Sequence, residues 1–155
     1  MYPLETQEMG LWCWAAVALS VEKYFEPTSQ QTQCGIATLV HHLNCCANKT
    51  ACNRKAELHV ALQKVGHFHD IRVGRLTFDQ IKTSIDAGFP VCVRIGWWPQ
   101  GGHYVVITGA AIDDSGDQWV TVADPLYESG MWYYDEFSSF YFGIGHWTHT
   151  YRVRR

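Results

Sequence analysis

The chain has 155 residues, 47% of them hydrophobic, enough to bury one core as a single domain over residues 1–155. A formal charge of -3, a pI near 6.2 and no basic run beyond the terminal Arg152, Arg154 and Arg155 exclude a nucleic-acid footprint. No stretch approaches the roughly 18 apolar residues of a membrane span, and Met1 to Gly10 lacks the basic-then-apolar order of a secretory signal, so an exported form would have lost its signal or need none.

Trp12 to Phe25 is apolar almost all round, through Ala15, Ala16, Ala18, Leu19 and Val21, and stops before Pro27, which predicts a buried helix. Ile36, Leu39, Val40 and Leu43 carry the stripe of a second helix, and Leu58, Ala61, Leu62 and Val65 that of a third, ended by Gly66. Thr77 and Gln80 make a capping-box pattern ahead of a fourth, with Phe78, Ile81 and Ile85, closed by Gly88 and Pro90. After Pro90 the period becomes that of strands. Val91, Val93 and Ile95 alternate with Cys92, Arg94 and Gly96; Tyr104 to Ile112, Trp119 to Ala123, Met131 to Tyr134 and Thr148 to Val153 follow as β-prone runs between turn signals. Helices first and antiparallel strands after predict an α+β fold. Seven Trp, eight Tyr and seven Phe, mostly in the second half, suit a sheet lobe and an extended substrate surface equally well.

Three residues are placed for nucleophilic chemistry. Cys13 starts the first helix, where the partial positive charge of the helix end stabilises an anion. A buried structural thiol is the bland alternative at that position. His103 follows Gly101 and Gly102 into a β-run, so its ring stands at a strand entrance, and Asp124 ends the next strand in Val122-Ala123-Asp124-Pro125. Each is unremarkable alone, a surface histidine and a turn carboxylate. Consecutive strands bring them within hydrogen-bonding range, the base-and-orienter arrangement that a thiol nucleophile needs. Gln7, six residues before Cys13, can donate from its amide to an oxyanion.

The segment Gln7-Glu8-Met9-Gly10-Leu11-Trp12-Cys13-Trp14-Ala15-Ala16 resembles the active-site helix of papain-like cysteine proteases, which carry a glutamine six residues before a Cys-Trp pair. The order Gln, Cys, His, Asp matches as well. The short length, Gly-Gly-His-Tyr and Asp-Pro look most like small bacterial members, plant-pathogen effector proteases and, more distantly, leader-peptide peptidases of bacteriocin exporters. The resemblance implies a helical N-terminal lobe, an antiparallel β-sheet C-terminal lobe and an active site in the cleft between them. It implies a cysteine endopeptidase that works through an acyl-enzyme, with Cys13, His103 and Asp124 catalytic and Gln7 in the oxyanion hole. Trp12, Trp14, Trp97, Trp98, Gly101 and Gly102 are expected along the substrate groove. No cofactor or metal is called for. The expected partners are a protein or peptide substrate and a cognate inhibitor or immunity protein, with the chain a monomer delivered out of a bacterial cell. Aspartate replaces the asparagine of plant and animal papains, as in many bacterial relatives.

Two other readings use the same parts. A transglutaminase-like acyl transferase shares the Cys, His, Asp order, but its glutamine directly precedes the cysteine, where Trp12 stands here. A silent binding module is the other, and the intact chemical positions argue against it. Asp113, Asp114 and Asp117 are the next candidates for the third position.

Cys34, Cys45, Cys46 and Cys52 cluster near His41 and His42 without a Cys-x-x-Cys pair, which favours disulfides over zinc. A bridge from Cys34 to Cys45 or Cys46, or from either to Cys52, would pin the loop between helices two and three and suit an exported protein; reduced thiols in a cytosolic one are the alternative. Cys92 reads as structural. His59, His67, His69, His146 and His149 read as solvated or locally bonded.

Overall fold

The computed structural model describes residues 1–155. Helix α1 (Cys13–Phe25) has no polar face, and every residue from Trp14 to Val21 is buried, so it forms the axis of the helical lobe. Around it pack α2 (Gln33–His41) and α3 (Leu58–Val65). Thr32 Oγ1 caps α2 by accepting the Gly35 N–H at 3.0 Å, and α3 stops where Gly66 takes a left-handed φ of 83°, open to a residue without a Cβ. The second helix ends earlier than its stripe suggests: Leu39 and Leu43 are exposed.

The second half follows as β1 (Phe68–Val73), α4 (Phe78–Asp86), β2 (Val91–Trp97), β3 (Gly102–Ile112), β4 (Gln118–Ala123), β5 (Gly130–Tyr133), α5 (Tyr134–Phe140) and β6 (Gly145–Val153). The capping box of α4 is complete: Thr77 Oγ1 accepts the Gln80 N–H at 3.2 Å and Gln80 Oε1 accepts the Thr77 N–H at 2.9 Å. The strands form one antiparallel six-stranded sheet in the order β1-β6-β2-β3-β4-β5. Alternation divides its side chains between two cores. Cys92, Tyr104 and Val106 join Trp12, Leu19, Ile36 and Leu62 beneath the helical lobe. Val91, Val93, Ile95, Val105 and Ile107 join Phe78, Ile81 and Phe137 under α4 and α5. The α+β fold with a helical and a sheet lobe is therefore as the sequence implies.

Two elements depart from the sequence reading. Strand β1 is an edge strand exposed along most of its length, so it shows no clean alternation. The chain turns helical at Tyr134 instead of continuing as strand, with Asp135 and Glu136 in the first turn, where the helix dipole favours them.

The irregular stretch between α2 and α3 is held by two disulfides, Cys34–Cys46 and Cys45–Cys52. Two indoles brace it further. Trp12 Nε1 donates to the Cys52 carbonyl at 2.7 Å and Trp14 Nε1 to the Arg54 carbonyl at 3.0 Å. His67 is a correction: it is buried, not solvated, with Nε2 2.8 Å from Glu22 Oε2 and Nδ1 2.9 Å from the Arg154 carbonyl, tying the end of α1 to the C-terminal strand. No helix is long and apolar enough to cross a membrane.

Candidate active site

Cys13 is the first residue of α1 and His103 the second of β3, and both line one cleft of about 350 Å³ between the lobes. Cys13 is partly exposed, and its amide, at the first helical position, has no partner within the helix. The other free thiol, Cys92, is buried at 0% exposure, and that burial pushes it up to about 12. A thiol so placed is a packing group.

The antiparallel ladder between β3 and β4 pairs Val106 with Ala123, so the residue after β4 lies beside the start of β3. There His103 Nε2 meets Asp124 Oδ1 at 2.8 Å, with both side chains almost fully buried. The same oxygen accepts the Leu126 and Tyr127 N–H groups, each at 2.9 Å. Asp124 Oδ2 accepts the Tyr141 hydroxyl at 2.6 Å. Burial works against the carboxylate, but the His103 hydrogen bond and charge, Tyr141 and the Leu126 N–H outweigh it and hold Asp124 below the ordinary carboxylate value. Burial likewise works against a charged His103. The hydrogen bond to Asp124 and its negative charge, with the nearby Cys13 sulfur, overcome it and raise the imidazole to about 9. With Nε2 committed to Asp124, Nδ1 is the nitrogen left for Cys13.

Aromatic rings enclose this pair. Trp97 stacks on His103 at 6.0 Å and on Tyr141 at 6.1 Å, and Tyr127 meets His103 edge-on at 5.5 Å. Rings on these sides keep water from competing for the His103–Asp124 hydrogen bond. Tyr127 and Tyr141 carry no sequence signal, because they join the site only through tertiary packing.

Trp14, Trp97, Gly101 and Gly102 line the cleft. Two tryptophans do not. Trp12 is wholly buried because its indole points down to Cys52, and Trp98 is 77% exposed outside the cleft lining. Gln7 is buried beside the lining residue Gly10, with its backbone N–H on the Pro125 carbonyl at 2.8 Å. Its Nε2 donates to the carbonyls of Met9 at 3.1 Å and Gly10 at 2.8 Å, while Oε1 is buried without a partner. Turning the amide over would set Oε1 against two carbonyls, so this orientation is the sound one. Asp113 lies elsewhere, accepting the Trp119 indole N–H at 2.8 Å in the turn between β3 and β4.

The sequence matches, over residues 1–140, the family described as papain-like cysteine protease AvrRpt2. The chain belongs to this family. Among solved structures it is similar to a putative C39-like peptidase from Bacillus anthracis, with a TM-score of 0.59 and 15% identity over 99% of this chain and 95% of that one. It is also similar to the bromelain protease from Ananas comosus, determined with the E64 inhibitor, with a TM-score of 0.57 and 12% identity over 98% and 93% of the two chains. No curated protein matches its sequence significantly. The protein is thus a papain-like cysteine peptidase, a hydrolase.

The grouping in this peptidase with metal-ligand character, Glu22, Glu26 and His67, stands at the far end of α1 from Cys13, roughly 14–20 Å along the helix axis. Its histidine is already hydrogen-bonded on both nitrogens.

Proposed function

We propose that this peptidase is an endopeptidase acting through Cys13, His103 and Asp124. The observation that carries the reading is the buried His103–Asp124 hydrogen bond, which commits one imidazole nitrogen and turns the other to the sole cysteine of the cleft. The Cys13 sulfur attacks the scissile carbonyl as a thiolate, with its proton held on His103. The oxyanion accepts the Cys13 N–H and one N–H of Gln7, which exchanges a backbone carbonyl for a charged acceptor, the stronger partner. His103 then protonates the leaving amine, and an acyl-enzyme remains. Water attacks it as His103 takes back a proton, which releases the acid and restores the thiolate–imidazolium pair. Asp124 fixes the ring and favours imidazolium throughout.

Two disulfides support a setting outside a reducing cytoplasm, and we infer that the protein acts after export as a monomer on a protein or peptide. Iodoacetamide should alkylate Cys13 well before Cys92, and mass spectrometry of proteome-derived peptides should show internal cleavage. Cys13→Ala should lose turnover by on the order of 10³-fold or more. Even labelling of both thiols, or cleavage by the alanine form, would overturn the assignment.

A further inference from the structure

Arg94 is a charged cleft residue that the hydrolytic steps leave unused. It interrupts an apolar strand, between Val93 and Ile95, on the sheet face that carries Cys92 and Gly96 and is turned toward the helical lobe. Gly96 and Gly102 are cross-strand partners, and the guanidinium lies over this pair. A Cβ on Gly102 would meet Arg94 Nη2 at 2.5 Å and Cζ at 2.8 Å, and one on Gly96 would come to 3.6 Å from Nη1. Gly102 thus gives the cation its seat, one residue from His103, while the space over Gly96 is taken first by Thr148 and His146. The Gly-Gly-His sequence therefore serves Arg94 as well as the histidine.

Arg94 Nη1 donates to Thr148 Oγ1 at 2.9 Å, which fixes the plane of the group. None of the salt bridges of the protein includes it. A guanidinium has five N–H donors, so most of its capacity is unspent. A half-buried cation without a carboxylate is costly unless a partner arrives, and a carboxylate that binds in a fork answers both its charge and its geometry. Lys55 and Glu57 also line the cleft, but both are exposed and opposite in sign. Solvent screens charges at such a rim far more than one seated over Gly102, so Arg94 sets the preference.

We propose that Arg94 forms a subsite beside the nucleophile that binds the carboxylate of a substrate aspartate or glutamate. The proposal rests on the peptidase reading. The test takes a peptide that wild type cleaves and varies each position near the scissile bond among Glu, Gln, Asp, Asn and Leu. At one position kcat/KM for the acid should exceed that for its amide by about tenfold or more, because a site built around a charged donor rejects a ligand that cannot match it. In Arg94→Met this ratio should fall to about one, and in Arg94→Lys to an intermediate value, since lysine keeps the charge and loses the fork. The ratio is internal to each variant, so a general loss of activity cancels. No acid preference at any position in wild type, or a ratio unchanged in Arg94→Met, would overturn the subsite. If Arg94→Met does not fold, the wild-type ratio and Arg94→Lys decide. Failure of the peptidase reading itself is distinct: no peptide is cleaved at all.

Discussion

The two walls of the cleft are held in place by different means. On the helical wall, the segment between α2 and α3 has little regular structure: one disulfide ties it to α2, the other closes it on itself, and two indole–carbonyl hydrogen bonds from Trp12 and Trp14 fasten it to the start of α1. On the sheet wall there is no covalent link. His103, Asp124 and Tyr141 form a buried chain of hydrogen bonds at 2.8 Å and 2.6 Å, enclosed by Trp97 and Tyr127. A covalent bridge suits a wall that only has to stay where it is. Hydrogen bonds suit a wall that must hold a proton and release it, because their strength changes with the protonation state of His103. Variants on the helical wall should therefore act on rate at the oxyanion and on stability, and variants on the sheet wall on the pH profile.

After the nucleophile itself, the largest effect is expected at Gln7. Gln7→Ala should lower kcat by roughly 10²-fold with little change in KM, because an oxyanion donor acts in the transition state and not on bound substrate. Its bonds to the Met9 and Gly10 carbonyls give it a second, bracing role. An unchanged kcat would leave it only that role.

Asp124 separates orientation from charge. Asp124→Ala frees the His103 ring and should cost about tenfold or more in kcat/KM. Asp124→Asn should retain most activity. An asparagine oxygen in the place of Oδ1 still accepts His103 and the Leu126 and Tyr127 N–H groups, and its NH₂ can donate to Tyr141, whose hydroxyl can turn to accept. The neutral side chain gives up the charge that helps raise His103, so the alkaline limit of activity should fall below about 9. An asparagine form as impaired as the alanine form would make the negative charge itself essential.

How much of this was legible follows from where each residue sits. Cys13, His103 and Asp124 occupy a helix start, a strand start and a strand end, places that local pattern and turn residues mark in sequence. Trp12 shares a motif with Cys13 but turns into the core, since spacing does not give the direction of a side chain at a helix entrance. Adjacent Cys45 and Cys46 fit several pairings until the backbone sends one inward and the other outward, one to buried Cys52 and the other to half-buried Cys34. Arg94 stood in the sequence only as a position alternating with the apolar residues of its strand. Its meaning needed Gly102 across the ladder.

On the helical wall, the Cys34–Cys46 bridge closes a loop of 12 residues. A Cys34→Ala/Cys46→Ala variant should lose about 2–3 kcal/mol of stability by loop entropy, read by denaturant unfolding. Neither cysteine lines the cleft, so kcat at 25 °C should change less than about twofold, whereas a large fall would mean that the bridge sets the position of Cys13.

The smallest change tests the sheet wall most directly. Tyr141→Phe keeps the ring that stacks on Trp97 and meets Phe137 edge-on, and removes one hydroxyl. Asp124 Oδ2 then loses its only donor, while Oδ1 keeps three, so orientation of His103 persists and kcat/KM should fall only several-fold. The sign of the pH effect follows from what Tyr141 does to Asp124. Its hydrogen bond helps hold the carboxyl below its ordinary value, so without it Asp124 protonates at a higher pH. A carboxyl with a depressed pKa contributes stability that is present above its unfolded value and lost as pH falls through the folded one. Both the acid limb of kcat/KM and the onset of acid unfolding should therefore move to higher pH in Tyr141→Phe. His103, raised to about 9, contributes stability present below its unfolded value and lost on the alkaline side, so that limb should shift far less. A uniform loss of melting temperature with an unmoved acid limb would reduce Tyr141 to a packing residue, and the sheet wall would then be set by Asp124 alone.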